Sequence, residues 1–258
     1  MSEILRFLEL LWPQESAEAL SLWTLPDKLS HHLSLADRQG CAAVASQLDT
    51  GYTQVYFGVG SRRPGLPRSR RGFKADVTAM PGLWIDIDLA SPAHASKKLP
   101  VTNEDANLLI AAVPLPPTAI VHSGHGLHVW WLFDQSLAIP SGASVQDFEK
   151  TCAALQALVI ARAAEHGWHV DKTADAARVL RLPGTTNRKI PSDNEINISR
   201  IGVHVKQTFG TTIMTAGDLL RIYDNMVLEF KLDERLITRG PLLKYQSGYG
   251  VVVFSTEN

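Results

Sequence analysis

The sequence predicts an α+β protein, and three observations carry that reading. Helical patterns open the chain and are followed by strands with helices interspersed. A β-α-β-β order runs through residues 83–133. Hairpin-like connections mix with single helices, which disfavours a doubly wound parallel sheet. The 258 residues, 45% apolar and 20% charged, suit an ordinary globular chain of one or two domains. That composition excludes disordered, collagen-like and coiled-coil chains.

The elements follow in order. Ile4, Leu5, Leu8 and Leu11 recur at helical spacing, and Pro13 ends that helix. Ser16–Leu22 reads as a second short helix, while Leu25–Leu35 has no clear period. Ser34 is placed to cap a helix over Leu35–Leu48. Thr53–Val59 (TQVYFGV) and Gly82–Asp88 (GLWIDID) read as strands. Between them, residues 61–74 hold Arg62, Arg63, Arg68, Arg70, Arg71 and Lys74 among two prolines and two glycines, the pattern of a loop outside the core. Asn103 is expected to cap a helix that runs from Glu104 to Val113, before Pro114, Pro116 and Pro117. Thr118–His122 and Leu127–Phe133 read as strands joined by Ser123-Gly124-His125-Gly126. A long helix is expected over Val145–Ala164, a short strand at Trp168–Asp171 and a helical turn at Asp175–Leu180. Asn197–Gln207 reads as a strand pair, Thr215–Asn225 as a helix and 251–254 as a last strand.

Net charge is −1 and the sequence pI about 6.8, so no global basic field marks a nucleic-acid binder. Such binding must come from a local patch. Two cysteines, Cys41 and Cys152, make neither a disulfide scaffold nor a four-thiolate zinc site; both are expected to be reduced and packed. The N-terminus lacks a basic n-region and a cleavage site, and no apolar run is long enough to span a bilayer. The expectation is a soluble, cytoplasmic protein with no membrane partner.

Three segments carry chemistry. Within Trp84-Ile85-Asp86-Ile87-Asp88, a strand points Asp86 and Asp88 to one face. Paired carboxylates at the end of a buried strand are a usual seat for Mg²⁺ or Mn²⁺. The alternative is structural, with Asp88 capping the strand and Asp86 meeting an arginine. In the turn Ser123–Gly126, glycines allow close approach of an anion, Ser123 can donate to phosphate and His128 starts the returning strand. An ordinary hairpin with surface histidines is the bland reading. The spacing of His122, His125 and His128 is not that of a zinc-protease pair, and no zinc is expected. In the third segment, Asp171 follows an apolar run and can complete a three-carboxylate set, with Asp175 as competitor. Arg178, Arg181, Arg188 and Lys189 supply cations for phosphates. An Arg181–Asp171 salt bridge is the structural alternative.

Taken together, this ordered set resembles the archaeo-eukaryotic primase (AEP) superfamily, in its primase-polymerase branch of plasmids, phages and mobile elements. Asp86 and Asp88 match its first motif, Ser123 and His128 its second, Val170 and Asp171 its third. Arg181–Lys189 (RLPGTTNRK) is similar to the segment after the third motif, and Thr24–Lys28 also resembles the family. The resemblance spans about residues 50–205.

It implies an RRM-like antiparallel catalytic sheet with flanking helices (residues 81–225) beside an N-terminal α/β subdomain (1–80). Together these would form a catalytic domain over 1–225, with a tail of uncertain structure at 226–258. It further implies a DNA primase or polymerase in replication of a mobile element. Two divalent ions, Mg²⁺ or Mn²⁺, would sit on Asp86, Asp88 and Asp171. Ser123, Gly124, His128, Arg181 and Lys189 would bind an NTP or dNTP, and a helicase or replication partner could accompany the chain. Arg62, Arg63, Arg68, Arg70, Arg71 and Lys74 would grip a single-stranded DNA template without reading its sequence. Two rivals stand beside this reading. One is a rolling-circle-type initiator nuclease, whose tyrosine would be Tyr223. The other is a catalytically silent nucleic-acid-binding module. Trp130 and Trp131 must face opposite sides of their strand. His31, His32, His94, His166, His169 and His204 are read as surface or core residues.

Overall fold

The computed structural model describes residues 1–92, 94, 98–140, 142–189, 201–202 and 204–208. The helix expected at 215–225, the strand at 251–254, Tyr223 and the tail 226–258 lie outside them.

The chain opens with α1 (Glu3–Leu11), capped by the Ser2 hydroxyl, which accepts from Leu5 N–H at 3.2 Å. Its face of Ile4, Phe7, Leu8 and Leu11 is buried. Next comes β1 (Ala19–Leu25), where Ser16–Leu22 was expected to be helical. A short apolar run fits either state. Here, strands on both sides decide: β2 (Ser30–Ser34) on one, β3 (Gln54–Gly58) and β4 (Ser61–Arg62) on the other. The helix α2 (Arg38–Leu48) starts three residues later than expected, because Asp37 rather than Ser34 caps it, accepting from Gly40 N–H at 2.8 Å.

The strand β5 (Val77–Asp88) is longer than the sequence suggested. Pro81 has no N–H to give the ladder, and the register shifts there between Met80 and Gly82. After α3 (Asn103–Ile110), capped by Thr102 rather than Asn103, β6 (Ala119–His122) and β7 (Gly126–Ala138) complete the expected β-α-β-β unit. Then come α4 (Gly142–Glu165), β8 (Val179–Arg181), β9 (Thr186–Asn187), β10 (Ile201–Gly202) and β11 (His204–Thr208). Trp168–Asp171, expected as a strand, is not one: His169 N–H bonds singly to the Lys98 carbonyl at 2.6 Å. The turn expected at Asp175–Leu180 is cut short by β8, which pairs with β3.

Nine strands form one antiparallel sheet in the order β11-β6-β7-β5-β4-β1-β3-β8, with β2 beside β1. The core runs across it. Phe7 of α1 meets Phe57 of β3 at 5.3 Å and Trp130 of β7 at 6.5 Å between ring centroids. Trp84 stacks on Phe148 of α4 at 6.0 Å. Trp84, Trp130 and Trp131 are all fully buried, so none is left as a surface platform. Cys41 and Cys152 are free and buried, as expected; burial pushes their thiols up to about 11 and about 12. Among the described residues no helix is long and apolar enough to cross a membrane.

Candidate active site

Alternation along β5 puts Asp86 and Asp88 on the face shared with Trp84, opposite His128 and Gly126 of β7. Asp86 lies 3.7 Å from Arg178 and 3.7 Å from His128 Nε2. Asp88 lies 3.4 Å from His94 Nε2. Both carboxyls are held above the usual carboxylate range, first by burial; Asp171 pushes both further up, and Asp86 does the same to Asp88. Arg178 and His94 oppose the rise. The pair is therefore a half-buried concentration of like charge with incomplete cationic compensation.

Asp171 stands within electrostatic reach of both, yet its side chain is 66% exposed and meets His169 Nε2 at 2.8 Å. Among the described residues no three His, Cys, Asp or Glu side chains form a group able to hold a metal. The three carboxylates share one neighbourhood without converging. A buried amide positions Asp171: Gln156 of α4 donates to the Trp84 carbonyl at 2.9 Å and accepts from Thr173 N–H at 2.8 Å. It ties the backbone two residues before Asp86 to the backbone two residues after Asp171.

The turn 123–126 is internally satisfied. Ser123 N–H and its hydroxyl both donate to the Gly126 carbonyl, at 2.9 and 3.1 Å. Gly124, at φ +99°, donates its N–H to His122 Nδ1 at 3.2 Å. The anion nest expected of Ser123 and Gly124 is closed by these bonds. His128 is buried, and burial, followed by the charge of Arg181, pushes its ring down to about 3. It is neutral at any working pH, and its Nδ1 has no partner among the described residues.

The segment after β8 splits into two roles. Arg181 is 9% exposed, donates to Gln54 at 2.7 Å and lies over the Tyr56 ring at 4.8 Å. No carboxylate pairs with it among the described residues, Asp171 included, although Asp86 acts on it electrostatically. Lys189 is exposed, and its charge acts on Asp88. Arg188, by contrast, is spent on the Asp49 carboxylate and on the Thr53 carbonyl at 2.7 Å. Asn187 donates to the Ser123 carbonyl at 2.7 Å, which fastens this segment to the turn.

Residues 61–74 are more ordered than the expected loop. Arg62 is fully buried in β4 and donates to the carbonyls of Gly60 at 2.7 Å and Ala176 at 3.5 Å. Burial pushes its guanidinium down to about 10. It cannot touch a template, which corrects the sequence reading. Arg62→Ala is expected to lower the melting temperature by roughly 5 °C or more, since emptying a buried site costs ~2–5 kcal/mol, and to leave nucleic-acid affinity unchanged. Thermal melts and oligonucleotide titration of one preparation check both halves. Arg63 and Arg70 pair with Asp76 at 2.7 and 3.4 Å, and Lys74 with Glu149 at 2.8 Å. Arg63, Arg68, Arg71 and Lys74 are exposed and Arg70 half-buried.

Three site residues were not identified as such from the sequence. His94 touches Asp88, and His169 touches Asp171, although neither showed a constellation in the sequence. The i, i+2 spacing of His169 and Asp171 on an extended segment was the available signal; His94 had none. Arg178 was one of four interchangeable cations until the fold placed it on Asp86.

No protein-family model matches the chain, and no curated protein does. Among solved structures, the AEP domain of the cyanophage S-2L primase-polymerase is similar over 85% of this chain and 96% of its own. The TM-score is 0.54 at 18% identity. The chain has the fold of a primase-polymerase AEP domain. Primase RepB′ is similar over 91% of this chain and 67% of its own, with TM-score 0.46 and 12% identity. The catalytic domain of primase RepB′ in complex with initiator DNA covers 90% of this chain and 99% of its own, with TM-score 0.44 and 13% identity. The AEP fold brings the expected antiparallel sheet with flanking helices. On it, Asp86, Asp88, His128, Arg178, Arg181 and Lys189 converge within mutual electrostatic reach.

Proposed function

We propose that this AEP-fold chain is a template-directed nucleotidyl transferase, a DNA primase or polymerase acting on single-stranded DNA. One observation carries the reading: a half-buried carboxylate pair with Arg178 beside Asp86 and the charges of Arg181 and Lys189 within electrostatic reach. Asp86 and Asp88 offer hard oxygen donors on one face, and both are raised by burial and by Asp171. Such donors suit Mg²⁺ or Mn²⁺ rather than a soft metal. Asp86 and Asp88 would hold two ions, with Asp171 turning in from His169. When bound, the ions activate the attacking hydroxyl and neutralise the leaving pyrophosphate.

The chain's own residues do the rest. The 3′-hydroxyl oxygen attacks the α-phosphorus, the bond to pyrophosphate breaks, and the hydroxyl proton leaves to solvent. Positioning and charge stabilisation dominate such a transfer. Arg178, Arg181 and Lys189 bind triphosphate oxygens. Neutral His128 donates one ring N–H without titrating. Ser123 joins by turning its hydroxyl away from the Gly126 carbonyl.

Arg181 is the cleanest probe of the triphosphate. Arg181→Met, which keeps the packing on Tyr56, is expected to raise the KM for nucleotide roughly 10- to 100-fold with a smaller change in kcat. That is the loss of charge-assisted bonds worth ~1.5–3 kcal/mol. Steady-state kinetics check it, and an unchanged KM would remove Arg181 from the site. The function itself is tested by incorporation of labelled nucleotides on single-stranded DNA, with and without primer, in Mg²⁺ and in Mn²⁺. Product without primer makes the chain a primase, and product only with primer makes it a polymerase. Strand cleavage with a covalent tyrosyl adduct would favour the initiator nuclease instead.

A further inference from the structure

A cleft of about 680 Å³ opens between Trp23, Lys28 and the turn that carries Arg70, Arg71, Phe73 and Lys74. Asp175 and Ala177 form its other wall, one residue short of Arg178, which meets Asp86. One step along the chain thus separates the cleft wall from the arginine that meets Asp86. Its lining carries Lys28, Arg70, Arg71 and Lys74 beside the carboxylate of Asp175, with Arg70 shared with Asp76 and Lys74 with Glu149.

Its aromatic residues are the unusual part. Phe73 is 63% exposed, an apolar ring that contributes nothing to the core. Yet its backbone is fixed, because Phe73 N–H donates to Asp76 at 2.8 Å. Gly72 beside it sits at φ +94°, a conformation that favours glycine. Arg70 lies over the Phe73 ring at 5.2 Å, and Arg71 over Trp23 at 5.2 Å. Trp23 in turn leans on Tyr56 at 5.6 Å. Each cation of this pair is therefore held beside an aromatic face. An anion alone needs no exposed ring, and a purely apolar partner needs no guanidinium. Stacked bases linked by phosphates need both.

We propose that this cleft binds single-stranded nucleic acid by stacking, with a base on Phe73 and backbone phosphates on Arg70, Arg71 and Lys28. The inference deepens the template-directed reading and rests on it. It adds a recognition mode that charge alone does not give. An unpaired base has a free face for Phe73, whereas a duplex base is already stacked. The cleft therefore selects single strands over duplex and tolerates any sequence.

The test is a titration of a fluorescein-labelled deoxythymidine oligomer, in EDTA and without nucleotide, at several salt concentrations. Wild type is expected to bind the oligomer more tightly than a duplex of equal length. Phe73→Ala is expected to weaken single-strand binding roughly 5- to 100-fold with the salt slope unchanged, since a stacked base is worth ~1–3 kcal/mol. Arg71→Gln is expected to lower the slope by ~0.7, the value for one phosphate contact on a single strand. Phe73 is exposed, so its replacement is expected to leave the melting temperature unchanged, which thermal melts check. Three results would overturn the proposal: no oligomer binding by wild type, affinity unchanged in Phe73→Ala, or equal loss on duplex. Displacement of the oligomer by polyglutamate equally well from wild type and Phe73→Ala would also do so, by marking a general anion surface. Failure of nucleotide incorporation with the Phe73 effect intact would sink the transferase and leave the cleft standing.

Discussion

Replacing Asp86 and Asp88 together by asparagine is expected to abolish metal-dependent nucleotide incorporation and to raise the melting temperature measured in EDTA. The two effects have one cause. Both carboxyls are held above the ordinary value of 3.8, so without a cation the fold carries their ionised forms at an energetic cost. Asparagine keeps the shape and removes the charge. Arg178, 38% exposed on its side chain, can turn to water when its partner goes. The gain is expected to read as a few degrees, at ~2–4 °C per kcal/mol in a chain of this size. A raised acid is bound more tightly by protons in the folded state, so its contribution to stability falls as pH rises through the raised values. The difference between wild type and variant is thus largest near neutral pH and closes as pH is lowered toward 3.8. Adding Mn²⁺ reverses the order. A hundredfold excess over Kd stabilises the wild type by about 2.7 kcal/mol, roughly 5–10 °C, and leaves the variant unmoved. Incorporation is expected to fall at least ~10³-fold, because a stabilisation of several kcal/mol is lost at ~1.4 kcal/mol per tenfold. Melting curves across pH and metal, beside incorporation assays, read all of this. A variant that melts lower in EDTA at neutral pH would show that the pair is structural.

Gly126→Ala is expected to lower incorporation by about 10²-fold without touching any charged group. Gly126 lies opposite Asp88 in the β5–β7 ladder. A Cβ placed there would stand 2.4 Å from the Ile87 carbonyl oxygen and 3.0 Å from Asp88 Cα. Both obstacles are backbone, so no flexible side chain can yield, and the strands must part where the second acid is held. Misplacement by about an ångström is enough for a loss of that order. The strain is expected to cost ~1–3 kcal/mol as well. Gly142→Ala serves as the control: at that position a Cβ meets nothing within 4 Å, so both activity and melting temperature are expected to hold. Equal activity in the two variants would show that the ladder tolerates the shift.

The parts of this site that rest on local periodicity were legible in the sequence. Alternation on one strand fixed the common face of Asp86 and Asp88. Two apolar runs about a glycine turn marked β6 and β7, whereas the pairing of β7 with β5, which sets His128 opposite Asp86, depends on a strand about forty residues away. What the sequence hid depends on partners far along the chain. Ala19–Leu25 becomes a strand because β2 and β3 flank it, and nothing within those seven residues says so. Arg62 reads as one more charge of a basic run, but the carbonyls of Gly60 and Ala176 let it enter the core. Trp168–Asp171 has an apolar pattern without a neighbouring strand, so Asp171 ends an extended segment that Gln156 holds instead. His94 reaches Asp88 from a connection whose path no local pattern encodes. Ser123 looked like a phosphate donor by type, whereas its own turn uses the hydroxyl first.

The most direct measurement is incorporation of a labelled nucleotide on primed single-stranded DNA by wild type and by the Asp86→Asn, Asp88→Asn double variant, each in Mn²⁺ and in EDTA. Product from the wild type in Mn²⁺ alone, absent in EDTA and absent from the variant, is the expected result. Product from the variant, or none from the wild type with either ribo- or deoxyribonucleotides, would contradict nucleotidyl transfer at this carboxylate pair.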